Sequence, residues 1–165
     1  MIRPFIPWPD QRLRRVAEPV AEVTDEIRAL WADMVETMDA MPGYGLAAPQ
    51  IGVMRRVAVV DCSEVRGQAV LLANPEVLHA SIHMREHDEA SPNLPGVHAT
   101  ISRPRAVTVR FLNAEGQSED RDFVGLWATS VQHQIDHLNG KMFFDRLSPL
   151  KRRMLVARAQ KTARR

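Results

Sequence analysis

Apolar residues recur at helical spacing over an early stretch of the chain, where Ile27, Leu30, Trp31, Met34, Val35 and Met38 fall on one face. Thr24 stands before them as an N-cap, with Asp25 and Glu26 in the first turn, and predicts a helix running to about residue 41. Pro42-Gly43-Tyr44-Gly45 ends it and leads into Leu46-Ala47-Ala48-Pro49-Gln50-Ile51-Gly52, small residues that suit close approach of backbone to a ligand. The period then shortens: strands are predicted over 56–61 and 70–72, and another after Asn74-Pro75. Ala106 to Phe111 alternates apolar and polar residues, and Ala114-Glu115-Gly116 turns it into a partner strand over 117–123. A second helix is predicted over 125–139, with Leu126, Val131, Ile135 and Leu138 facing the core only loosely and Gly140 placed to stop it. Ser148-Pro149 starts a third over 149–165, with Leu150, Met154, Leu155 and Val156 packing inward. The order reads as α+β, with antiparallel sheets packed around a central helix and a helix at the C-terminal end.

At 165 residues and 45% apolar content, the chain fits a single domain over 1–165 that buries its own core. No apolar run approaches the roughly 20 residues that span a bilayer, and the proline-broken start, Met1-Ile2-Arg3-Pro4-Phe5-Ile6-Pro7, does not read as a signal peptide. A cytoplasmic protein is expected, with neither membrane nor DNA as partner. Cys62 is the only cysteine, which excludes an intrachain disulfide, and it closes an apolar run as a buried strand-end thiol. The net charge of +2 hides an asymmetry: eight of the 22 basic residues lie from Arg146 to Arg165 with no acid among them, leaving an acidic body. Such a tail is an electrostatic footprint for a polyanion such as ribosomal RNA, or else a solvated face of a terminal helix.

The candidate chemistry sits on the second helix, in His133-Gln134-Ile135-Asp136-His137. Residues i and i+4 of a helix lie one above the other, so His133 and His137 are placed to grip one metal ion. Zinc hydrolases with H-E-x-x-H use the Glu to take a proton from metal-bound water, and Gln134 occupies that position here. A primary amide is no base near neutral pH. His79, His83 and His87 are also spaced by four, a spacing that puts them on one face of a helix or of a strand alike.

The neighbouring motifs carry a resemblance. Gly43-Tyr44-Gly45-Leu46-Ala47-Ala48-Pro49-Gln50 resembles the G-x-G-L-A-A-P-Q motif of peptide deformylases, and Gln132 to Gly140 resembles their Q-H-E-x-D-H-L-x-G. Glu89-Ala90-Ser91-Pro92-Asn93-Leu94-Pro95-Gly96-Val97 is similar to their E-G-C-L-S-x-P-G-V. The resemblance implies a divalent metal (iron, zinc or nickel) held by a cysteine and two histidines, whose bound water removes the formyl group from the N-terminal methionine of a nascent chain. It implies that Gln50 and a backbone N–H stabilise the oxyanion, that Gly45, Leu46, Glu89 and Pro92 form the pocket, and that Glu89 pairs with Arg103. His133 and His137 match the metal ligands. The cysteine position is Ser91, the leucine that donates its N–H is Pro92, and the general base is Gln134.

Each change has a separate physical consequence. A serine hydroxyl is much harder to deprotonate than a thiol and is a harder, weaker ligand. Proline has no N–H, and losing one oxyanion donor typically lowers a rate by about 10²–10³. Losing a general acid/base lowers it by about 10²–10⁴. The expectation is a deformylase-like protein with weak or absent deformylase activity and a pocket for peptide N-termini, associated with the ribosome through its basic tail. The alternatives are a working metallohydrolase of altered metal or substrate that recruits Glu89 as ligand or base, and a ribosome-associated binding protein.

Overall fold

The computed structural model describes residues 1–163, so Arg164 and Arg165 of the basic tail lie outside the described residues. The first helix, α1, spans Asp25–Ala40, and the Thr24 hydroxyl accepts the Ile27 N–H at its start. Its buried face is Ile27, Leu30, Trp31, Met34, Thr37 and Met38. That face packs on two short strands, β1 (Gly45–Ala47) and β2 (Val57–Val60). The chain continues through β3 (Val70–Ala80), β4 (Met84–Glu89), β5 (Ala99–Pro104), β6 (Ala106–Leu112) and β7 (Ser118–Val124), then α2 (Leu126–Leu138) and α3 (Pro149–Ala163). The strands form a five-stranded sheet, ordered β1-β2-β3-β6-β7, and a separate β4-β5 pair, all antiparallel. This is the predicted α+β arrangement, with α2 packed against strands of both sheets.

Three local readings of the sequence are corrected. The segments on either side of Asn74-Pro75 are one strand, β3, rather than two. Asn74 adopts φ 49° and the register against β6 shifts there, so the pair makes a bulge, and the Asn74 amide is anchored by hydrogen bonds in both directions to the Val20 backbone. The second correction concerns α2. It does not face a core loosely: every residue from Ala128 to Leu138 is buried, because sheet strands cover it on more than one side. A helix so enclosed that still carries Gln132, His133, Gln134, Asp136 and His137 must find partners for them within the protein.

The third correction lies on α3. Ser148 caps it through the Lys151 N–H, as the Ser-Pro start predicts. Its buried stripe is only Leu155 and Ala159, one helical turn apart, with Val156 partly covered. Leu150 and Met154 are 61% and 55% exposed, so neither packs inward. Lys151, Arg153, Arg158 and Lys161 are exposed as well.

At the end of α2, Gly140 has φ +75°, and a Cβ there would fall 2.6 Å from the Arg14 carbonyl oxygen. Only glycine satisfies both the left-handed backbone and the close approach. Among the described residues, no helix is long and apolar enough to cross a membrane.

Candidate active site

The two-stranded sheet clamps α2 through one buried guanidinium. Arg103 on β5 is fully buried, and it donates to Glu89 on β4 from Nε (2.7 Å) and Nη2 (2.8 Å), and to Asp136 on α2 from Nη1 (2.9 Å). Asp136 accepts a second fork from Arg146, at 2.8 and 3.0 Å. The His133 ring shares the Glu89 oxygen that Arg103 Nη2 bonds, with Nδ1 and Oε1 2.7 Å apart. Burial alone would raise the Glu89 carboxyl, but hydrogen bonds from Arg103 and His133 outweigh it and hold the pKa at about 2. Glu89 is therefore an acceptor only, so His133 Nδ1 carries the hydrogen of this contact. Burial likewise opposes ionisation of Asp136, and its arginine partners overcome it and keep that carboxyl low.

His137, the second half of the histidine pair, lies one turn further into the protein. Its ring centroid is 5.0 Å from that of His133, in an edge-on arrangement. It is almost completely buried, and neither ring nitrogen has a hydrogen-bond partner. Burial, reinforced by His133 and Arg103, depresses its pKa well below the ordinary histidine value, so the ring is neutral.

Opposite α2, the segment after β4 turns tightly, with the Leu94 N–H bonded to the Ser91 carbonyl. Asn93 organises this turn. Its side-chain amide donates to the carbonyls of Ile6 (2.6 Å) and Gln50 (2.9 Å), and its oxygen accepts from Gln50 Nε2 (2.9 Å) and the Ser91 hydroxyl (3.2 Å). The Asn93 N–H in turn points at Ser91 Oγ, at 3.3 Å. The Ser91 hydroxyl thus has its hydrogen directed to a neutral amide and a lone pair engaged. Gln50, from the 3-10 turn after β1, accepts the Ala47 N–H at 2.9 Å, which fixes its side chain at the wall.

These pieces enclose a cavity of about 430 Å³ whose wall includes Gly45, Gln50, Glu89, Ser91, Pro92, His133 and Gln134. Gln134 is 4% exposed, and its Oε1 is buried with no hydrogen-bond partner. A Cβ at Gly45 would meet Gln134 Nε2 at 2.5 Å and Ser130 Oγ at 2.6 Å, so glycine at 45 is what allows the strand to lie this close to the helix. Leu46 is not part of the wall. Successive strand residues point to opposite faces, and with Gly45 turned to the cavity Leu46 is carried into the core beside α1. Of the evenly spaced histidines, His79 and His83 are exposed, and His87 is half-buried at the cavity. The Cys62 thiol, part-covered just beyond β2, is pushed up to about 12 by burial, which leaves it inert as a nucleophile.

The arrangement matches known proteins along its length. Residues 2–153 fit the family model described as polypeptide deformylase. The chain belongs to the polypeptide deformylase family. It is 44% identical to a peptide deformylase of Methylocella silvestris over 99% of this chain and 86% of that one. A peptide deformylase structure from Legionella pneumophila superposes with TM-score 0.92 at 39% identity, covering 99% of this chain and 96% of that one. A class I type b peptide deformylase of Acinetobacter baumannii with Met-ala-ser bound superposes with TM-score 0.84 at 29% identity, covering 89% and 99%.

Deformylases depend on a metal, and the donors present here fit one poorly. The unpartnered His137 ring and the Nε2 of His133 suit a cation, but a firmly held ion needs three protein ligands. The third position offers a neutral hydroxyl engaged with Asn93. Among the described residues, no cluster of three His, Cys, Asp or Glu side chains is arranged to bind an ion. Glu89 does not make up the deficit, since both its oxygens are committed and its basicity is low. Sequence reasoning places the histidines, Ser91, Pro92, Gln50 and Gln134 in one neighbourhood, but it misses Asn93 as the hub and Arg146 as the second clamp on Asp136. A buried asparagine between two prolines, Pro92-Asn93-Leu94-Pro95, was the available signal for the first.

The depressed carboxyls predict an acid-labile fold. A carboxyl whose folded pKa lies below its unfolded one stabilises the protein above the unfolded value, and that contribution is lost as the pH falls through the folded value. For Glu89 the window runs from 4.5 down to about 2, and Asp136 contributes in the same direction. Urea midpoints measured across an acid titration should fall through this window. A flat profile would contradict the buried network.

Proposed function

We propose that this chain is a deformylase-family protein that holds peptide N-termini with little or no deformylation. The observation that carries the reading is the shared location of Ser91, Pro92 and Gln134, each of which departs from the family motif and each of which lines the same cavity. Water activation, oxyanion stabilisation and metal binding all depend on that wall in the chemistry the resemblance implies. Gln134 takes no proton, Pro92 offers no N–H, and Ser91 is a poor ligand beside two imidazoles. The cavity itself is kept: Gly45, Gln50 and His133 stand at its wall, and the Met-ala-ser complex of the Acinetobacter relative supports a short peptide N-terminus as occupant.

Two measurements on protein purified without chelators test this. Elemental analysis is expected to find iron, zinc and nickel together well below one ion per chain, and calorimetry is expected to detect binding of short methionyl peptides. A stoichiometric ion that survives dialysis, or no binding of any such peptide, would overturn the proposal.

A further inference from the structure

We infer that the polar pocket beyond the C-terminal end of α2 is a site for a doubly charged phosphate, the terminal group of a phosphomonoester. It shares no lining residue with the cavity of the candidate active site, and the inference goes beyond the peptide-binding reading. Three segments meet there: the start of the chain at Arg14, the turn that follows α2, and the first turn of α3. The left-handed Gly140 brings the chain out of α2 against the Arg14 backbone, and Asp145 accepts the Met142 N–H at 2.9 Å to cap the 3-10 turn Phe143–Arg146. A cavity of about 510 Å³ results, lined by Arg14, Lys141, Arg146 and Arg152 together with Asp136 and Asp145.

Four cationic side chains against two carboxylates leave the lining with an excess of two positive charges. The carboxylates are already committed. Asp136 accepts from Arg103 and takes a fork from Arg146, while Asp145 accepts from both terminal nitrogens of Arg14 as well as from Met142. Arg14 is held further by the Trp8 ring, whose centroid lies 4.7 Å from its guanidinium carbon. Arg152 and Lys141 are left over. Arg152 Nη1 stands 3.7 Å from Asp145, too far for a hydrogen bond, and its Nε is buried without a partner. Lys141 is exposed, and among the described residues its ammonium meets no acceptor. A guanidinium more than half covered that makes no hydrogen bond to the protein is the incomplete part of this pocket. Arginine offers its planar fork to phosphate oxygens, and lysine serves the same group as a point charge. The charge excess selects the form of phosphate: a monoester carries close to two negative charges at neutral pH, its second pKa being about 6, whereas a diester carries one.

The test is titration calorimetry of the full chain with methyl phosphate and with dimethyl phosphate at equal ionic strength, repeated for Arg152→Gln, Lys141→Gln and Arg153→Gln. Arg153 is the control, exposed on the same helical turn but outside the lining. The parent should bind methyl phosphate saturably with a Kd of about 1 mM or tighter, the scale of two charge-assisted hydrogen bonds, and dimethyl phosphate at least about tenfold more weakly. Arg152→Gln and Lys141→Gln should each weaken methyl phosphate by about tenfold, with Arg153→Gln unchanged. Because Lys141 is exposed and unpaired, its variant reads the site without disturbing the fold. No saturable binding by the parent overturns the site, as does a loss in Arg153→Gln equal to that in Arg152→Gln, which would mark a diffuse basic surface. Equal affinity for the two probes overturns the doubly charged ligand in favour of a phosphodiester such as a nucleic-acid backbone.

Discussion

Reverting Ser91→Cys, Pro92→Leu and Gln134→Glu together is expected to raise the deformylation rate of this chain by about 10⁴-fold or more, from the combined return of a general base and an oxyanion donor. The three side chains share one cavity wall, with Gln50 and His133 already beside them. A cysteine at 91 would add a thiolate to the wall that His133 lines, supplying the third donor that a set of two histidines lacks for holding a divalent ion. Leucine at 92 would return an N–H to the turn, and glutamate at 134 a carboxylate to the wall. Single reversions should gain little, because residues that act as a unit give effects that do not add. The check is hydrolysis of a formyl-Met peptide by the variants and parent in parallel, with iron or nickel supplied to each. A triple variant no faster than the parent would mean that the pocket, and not these side chains alone, has departed from the family.

The second large effect is on stability. Arg103→Met should destabilise the fold by about 3–5 kcal/mol, the range seen when one member of a buried ion pair is removed. Arg103 is fully buried and makes three charged hydrogen bonds that join β4 and β5 to α2. Without it Glu89 is left with His133 and Asp136 with Arg146, in a region with little access to water. Chemical denaturation of parent and variant gives the difference directly. A second change, Glu89→Met in the Arg103→Met background, should recover part of it by removing the stranded charge. A loss below about 1 kcal/mol would place Arg103 with ordinary surface pairs.

The parts of the fold legible in the sequence are those with one wet face. The α1 stripe, the β6 alternation and the Ala114-Glu115-Gly116 turn each carry a period that matches one buried side, and they appear where the pattern puts them. The β4 strand, Met-Arg-Glu-His-Asp-Glu, is polar and mostly uncovered, so no apolar alternation marked it. The burial of α2 from Ala128 onward was hidden for the opposite reason. Polar residues interrupt its apolar positions, which read as facing the core only loosely, although Gln132, His133 and Asp136 are satisfied by the Pro104 carbonyl, Glu89 and the two arginines. Leu150 and Met154 fit an inward helical face, but the surface beneath α3 is narrow enough that Leu155 and Ala159 fill it.

For the candidate site, the sequence motifs pointed to Gly45, Gln50, Glu89, Ser91, Pro92, His133 and Gln134, which line one cavity, and their spatial partners came from the fold. Spacing brought His133 and His137 together on one helix, and the resemblance placed Gln50, Ser91 and Pro92 beside them. It did not reveal that the Ser91 hydroxyl is engaged by Asn93, or that Gln134 keeps a buried, unpaired oxygen. Those facts depend on which chain segments meet, and Asn93 joins three of them: the start of the chain, the turn after β1 and the turn after β4.

The most direct test of the central claim is the kcat/KM of the unmodified chain for a formyl-Met-Ala-Ser peptide, with iron, nickel or zinc added in turn and the triple variant alongside. A wall carrying Ser91, Pro92 and Gln134 predicts a value at least about 10⁴-fold below that of the variant under every metal, the loss expected from a missing base and oxyanion donor together. A parent value within about tenfold of the variant's, a barrier difference of roughly 1.4 kcal/mol, would contradict the account.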